Sequence, residues 1–186
     1  MYLWYLCMNP KKLKERKERI SKLGKALKKL FPAAEIELIF KTPLELLVAV
    51  QLSAQCTDKM VNKITEKLFK KYKKLDDYVN ADPLEFEQDI KSSGFYRNKT
   101  KNILAATRMI KEGFGGRVPK TIEEMLRLPG VARKTATVVL KEAHGVVAGV
   151  TVDTHVIRFV QRFGLSDYKD PVRIEKDLMQ LLPKKE

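Results

Sequence analysis

The stretch LPGVARKTATVVL, residues 128–140, decides the fold. Leu126 and Leu128 end one apolar face, Pro129-Gly130 makes a tight turn, and Ala136, Val138, Val139 and Leu140 supply the face of a following helix. Residues 121–144 therefore read as helix, turn, helix. Arg133 and Lys134 stand in the first turn of the second helix. The helix dipole repels cations there, by a few tenths to about 1 kcal/mol each. A glycine turn running into a helix also points backbone N–H groups outward, and these groups with the dipole make an anion site. A bound phosphate would offset the cost of the two cations. The plainer alternative is an αα-corner that binds nothing.

Helical periodicity extends in both directions from this hairpin. Leu13, Ile20, Leu23, Leu27 and Leu30 fall on one stripe of an otherwise lysine-rich segment. Thr42-Pro43-Leu44-Glu45 has a cap, a first-turn proline and a glutamate three residues on. Asp82-Pro83-Leu84-Glu85 repeats that pattern, Thr121-Ile122-Glu123-Glu124 is a further capping box, and Asp170-Pro171 opens a last helix. The spacing predicts helices over 10–32, 43–54, 58–73, 83–92, 97–113, 121–127, 132–144, 153–163 and 171–182. The run GVVAGVTV, 145–152, is strand-like but has no partner strand, so it is expected to be a buried connection. The fold class is all-α.

The chain has 186 residues, 44% of them apolar, enough for one or two domains with a real core. It contains no uninterrupted apolar run of membrane-spanning length. The start, MYLWYLCMNP, is too short for a signal peptide and has no basic leader, and Met8 offers a second start site. Thirty-seven Lys and Arg against 23 Asp and Glu give +14, which favours a polyanionic partner such as nucleic acid; the alternative is the lysine-rich surface of a heat-adapted or simply basic protein, and no membrane partner is expected. Cys7, Cys56, His144 and His155 are widely spaced and form no zinc or iron–sulfur signature. So few cysteines point to a reducing cytoplasm.

Four segments in order resemble the endonuclease III family of DNA glycosylases, within the helix-hairpin-helix superfamily. LPGVARKTATVVL is similar to the family's hairpin, and VDTHVIRFVQRFGL, 152–165, to its catalytic aspartate segment. LSAQCTD, 52–58, and GFYRNKTKNI, 94–103, are similar to its two DNA-probing segments. The similarity covers about residues 10–183. It implies a two-lobed fold with the active site in the interdomain cleft. One lobe is 36–149 with the hairpin; the other combines 1–35 with 150–186.

The resemblance makes Lys134 the nucleophile and Asp153 the catalytic carboxylate. An amine nucleophile must be neutral, whereas free lysine titrates near 10.4. The helix N-terminus, adjacent Arg133 and partial burial are each expected to disfavour the ammonium. Lys134 would attack C1′ of an extruded nucleotide, and the resulting Schiff base would permit β-elimination. Asp153 would stabilise positive charge on the sugar; its alternative role is a helix cap before THVIRFV. Gln55 matches the glutamine that fills the gap left by extrusion, since an amide both donates and accepts. Phe95 and Tyr96, after Gly94, match the intercalating wedge. Packing of their loop is the alternative. Arg97, Asn98 and Lys99 are read as phosphate contacts. Pro129, Gly130, Val131, Ala132 and Arg133 form the DNA-binding hairpin. His155 is read as a contact to backbone or phosphate.

The implied activity is a bifunctional DNA glycosylase and abasic-site lyase acting on oxidised pyrimidines in double-stranded DNA. Two alternatives stand: a thymine or uracil mismatch glycosylase of the same fold, and a catalytically inert DNA-binding module. Adenine-specific relatives lack the lysine, so Lys134 argues against that branch. The chain departs from the family in three places. Ala132 stands where many members carry a second hairpin glycine; the turn is expected to survive if its φ is helical. The four clustered cysteines of the family's [4Fe–4S] site are missing, so no cluster cofactor is expected. The chain also stops some tens of residues early, as a natural cluster-free form, a truncated frame or an engineered fragment would. A monomer is expected, with dimerisation through apolar surface on 10–32 or 171–182 as the alternative.

Overall fold

A computed structural model describes residues 9–182; the readings placed on the first eight residues, Cys7 among them, lie outside it. The described residues hold ten α-helices and one 3-10 turn, with no strand. None of these helices is long and apolar enough to cross a membrane. Spatial proximity divides the chain into two units, Ile36–Ala148 and Met1–Glu35 with Gly149–Glu186.

The Ile36–Ala148 unit is built around α2 (Pro43–Leu52). Thr42 caps it by accepting from the Glu45 N–H, and every residue from Leu46 to Leu52 is buried. A short helix that is apolar on all sides belongs at the centre of a core. Around it lie α3 (Asp58–Lys71), α6 (Tyr96–Gly113) and α8 (Arg133–His144). The shorter α4 (Leu75–Val79), α5 (Pro83–Asp89) and α7 (Ile122–Met125) complete the unit. Asp82 and Thr121 cap α5 and α7 as their sequence signals predict. Neither α4 nor the 3-10 turn Lys91–Ser93 was anticipated. The Lys74 side chain makes no cap hydrogen bond for α4, so the usual start signal is absent.

In the other unit, α1 (Pro10–Leu30), α9 (Thr154–Arg162) and α10 (Pro171–Leu181) share a small core of Val160, Leu165, Ile174, Leu178 and Leu181. Leu13, Ile20 and Leu23 of the α1 stripe pack on it. The last part of the predicted stripe does not: Leu27 and Leu30 are 40% and 69% exposed. The residue of α1 that is buried is a cation, Arg16. Its guanidinium donates to the Gly164 carbonyl at 3.0 Å and pairs with Asp167 at 2.7 Å. Buried cations persist only with such partners.

The 145–152 run is irregular, and the expectation that it is buried holds in part. Val146 and Val147 are 39% and 55% exposed, while Gly149 is buried. Gly145, at φ +67, ends α8 in the left-handed region and turns the chain outward.

Candidate functional site

Three loops of the Ile36–Ala148 unit converge on one cavity of about 220 Å³. Its walls are Gln51, Ala54, Gln55, Phe95, Asn98, Lys99, Asn102 and Gly130. Five of these were expected from sequence at separate places in the chain: Gln55, Phe95, Asn98, Lys99 and Gly130. Folding brings them to one surface.

The first loop follows α2. Ser53 ends the helix, Cys56 donates to the Ser53 carbonyl at 3.0 Å, and Thr57 caps α3. Gln55 lies between, exposed, with φ +54. The second loop joins the 3-10 turn to α6. Gly94 has φ +70, and Phe95, at φ +48, is the N-cap of α6 without a capping side chain. Phe95 is 68% exposed. Tyr96 instead packs partly against the core, so the two aromatics separate into a projecting residue and an anchored one. Arg97 and Asn98 are exposed, with the Arg97 guanidinium 5.7 Å from the Tyr96 ring centre.

Lys99 corrects the sequence reading. It was expected at a phosphate but is only 6% exposed. Its ammonium donates to the Leu52 and Ser93 carbonyls, each at 2.8 Å. Lys99 lies on the inward face of α6 with Ile103, Ala106 and Ile110, all buried. Burial pulls its pKa below the ordinary lysine value.

The third loop is the hairpin. Gly130 has φ +72, and a Cβ there would lie 2.7 Å from the Asn102 Cβ, so both conformation and space demand glycine. The Val131 side chain is buried and its N–H donates to the Leu128 carbonyl at 3.1 Å. That N–H closes the turn. Ala132 is the N-cap of α8 at φ −84, ψ 169. Its backbone is extended rather than helical, a conformation any residue adopts, so alanine in place of glycine leaves the turn intact. No side chain caps α8. Arg133 and Lys134 occupy its first turn and both are exposed, so the partial burial expected of Lys134 is not found.

Gln51 and Asn102 were not anticipated. Gln51, 6% exposed, donates its amide N–H to the Pro129 carbonyl at 2.8 Å, and its Oε1 is buried without a partner. Sequence signals for both were available. Gln51 is the single polar residue within the buried run of α2, and Asn102 lies one helical turn beyond Asn98.

Asp153 belongs to the other unit, as the N-cap of α9. Its Oδ1 accepts from the His155 and Val156 N–H groups at 3.0 and 2.9 Å. The His155 side chain is exposed. Among the described residues no three His, Cys, Asp or Glu side chains gather as a metal site, and Cys56 is the one described thiol. Two cysteines in 186 residues do not fit a four-thiolate cluster.

Residues 48–184 match the model of the HhH-GPD superfamily, base excision DNA repair proteins. Endonuclease III of Synechocystis sp. is 53% identical over 173 residues, covering 93% of this chain and 79% of the relative. Endonuclease III of Bacillus subtilis is 52% identical over 158 residues, covering 84% and 72%. A solved structure of a trapped endonuclease III–DNA covalent intermediate, an estranged-adenine complex, superposes with a TM-score of 0.86 at 46% identity. That match covers 90% of this chain and 79% of the solved one. The chain therefore belongs to the endonuclease III family of the HhH-GPD superfamily.

Proposed function

We infer that this chain is a bifunctional DNA glycosylase and abasic-site lyase of base excision repair. The observation that carries the reading is Lys134 in the first turn of the helix after the Pro129-Gly130 turn, in a chain 46% identical to one trapped covalently on DNA. Lys134 attacks C1′ of the extruded nucleotide and the damaged base leaves. The iminium that forms makes the 2′ proton acidic, and β-elimination then breaks the strand on the 3′ side. Asp153 stabilises positive charge on the sugar as the base departs. Its Oδ1 is held in place by two backbone donors, the His155 and Val156 N–H groups. Lys134 is exposed, so exclusion of water from its amine falls to the bound duplex.

The substrates that this reading favours are oxidised or fragmented pyrimidines and abasic sites in duplex DNA, in the cytoplasm of a prokaryote. Bacterial relatives that share the family support the setting.

Borohydride reduction in the presence of abasic duplex should give a stable protein–DNA adduct, and Lys134→Ala should abolish it. Asp153→Asn should slow base release while leaving the adduct on a preformed abasic site. Tight duplex binding with no adduct from the wild-type chain would instead identify an inert DNA-binding module. Parallel duplexes carrying thymine glycol or a G·T mismatch assign the substrate class.

A further inference from the structure

Gln55 and Phe95 are the two non-glycine residues with positive φ among those described, at +54 and +48. A side chain in that region costs about 1–2 kcal/mol. Such conformations persist only where surrounding structure over-determines them. Neither residue is held by its own side chain, since both are exposed. What holds them must act through the backbone on either side.

The Lys99 ammonium is placed to do so. It donates to Leu52, the last residue of α2, and to Ser93, the last of the 3-10 turn, at 2.8 Å each. Carbonyls at helix C-termini lack intrahelical partners and gather partial negative charge, so a cation suits both. Gln55 lies three residues beyond Leu52, and Phe95 two beyond Ser93. Asn102 abuts Gly130 on the same helix, α6, and Gln51 binds Pro129 from α2, so both helices are also registered on the hairpin turn.

We propose that Lys99 is a positioning residue for base extrusion: one buried ammonium holds the segment that carries Gln55 and the segment that carries Phe95 at a fixed separation. Methionine, of similar length, would fill the same space without the burden of a buried charge. The contribution of the ammonium is therefore geometric. On this reading Gln55 fills the vacated site while Phe95 intercalates opposite it, so the two side chains must enter one duplex together, and misplacement by about 1 Å can lower a rate 100-fold.

The inference rests on the glycosylase reading, and the experiment separates the two. In Lys99→Met, single-turnover release of a damaged base should fall about 10- to 100-fold. Cleavage of a preformed abasic duplex, already unpaired, should fall much less. A 2-aminopurine opposite the lesion should lose the fluorescence rise that reports unstacking. Hydrogen exchange, which needs no DNA, should accelerate in 52–58 and 91–98 while 126–136 stays as in the wild type. Lys99→Gln, which keeps one donor, should lie between. Wild-type excision and fluorescence in Lys99→Met would overturn the proposal. So would equal losses on both substrates that track the folded fraction by circular dichroism, or failure of both variants to fold. If the wild type yields no borohydride adduct, the glycosylase reading falls, and the exchange measurement alone decides whether Lys99 clamps the two segments.

Discussion

Phe95 is both exposed and strained, a combination that stability alone does not select. Replacing it with glycine relieves the left-handed backbone, worth about 1–2 kcal/mol, against about 0.5–1 kcal/mol of added chain entropy. Because the ring is 68% exposed, little packing is lost. Phe95→Gly should therefore melt at or slightly above the wild-type temperature, while excision from duplex DNA falls at least about tenfold. A variant that lost stability and activity together would show that the ring belongs to the core. The sequence contained the residue types at this site but not their directions. Phe95 and Tyr96 are adjacent aromatics after a glycine, and only the backbone separates the projecting ring from the anchored one. Lys99 looks solvated in the sequence because Arg97 and Asn98 precede it in a polar run. Its helical phase with Ile103, Ala106 and Ile110 held the correct answer.

Most of the legible elements carry a chemical start signal, while α6 and α8, which no side chain caps, are legible from their apolar periodicity and from the Pro129-Gly130 turn. Asn9, Thr42, Thr57, Asp82, Thr121, Asp153 and Asp170 all accept from first-turn N–H groups. The short α4, begun at Lys74, carried no such signal and went unseen. The stripe of α1 was legible in position but not in content. Arg16 lies on the same face as Leu13, Ile20 and Leu23, and it is the residue that anchors the helix. Arg16→Met leaves the Gly164 carbonyl and Asp167 without this donor. The expected destabilisation is about 2–3 kcal/mol, below that of a fully buried pair because Asp167 stays wet. Lys12 and Arg16 hold the Asp167 carboxyl below its usual 3.8. A lowered carboxylate contributes stability above its unfolded value and loses it as pH falls through the folded one. Thermal melting of the wild type should therefore lose stability on acidification below that range, and Asp167→Asn should flatten that limb. An equally steep limb in Asp167→Asn would assign it to other carboxylates.

For the whole molecule, a net charge of +14 pointed to a polyanion without locating its contact surface. Folding gathers Gln55, Phe95 and Gly130 around one cavity, a proximity that no local pattern encodes, and this is the surface we propose for DNA. Duplex affinity should fall with salt along a log–log slope near −0.9 for each phosphate neutralised. A flat dependence, measured by fluorescence anisotropy across salt concentrations, would contradict a basic DNA surface.

The partners of α1 also govern how the chain is made. Arg16 meets Asp167 across 151 residues of sequence. At ribosomal speeds of about 5–20 residues per second, the first helix emerges about 8–30 s before the aspartate that receives it. Meanwhile the entire Ile36–Ala148 unit is synthesised and can close on itself. Until α9 and α10 follow, Leu13, Ile20 and Leu23 remain bare on the nascent chain, a window in which a chaperone would find a binding site that the finished protein conceals.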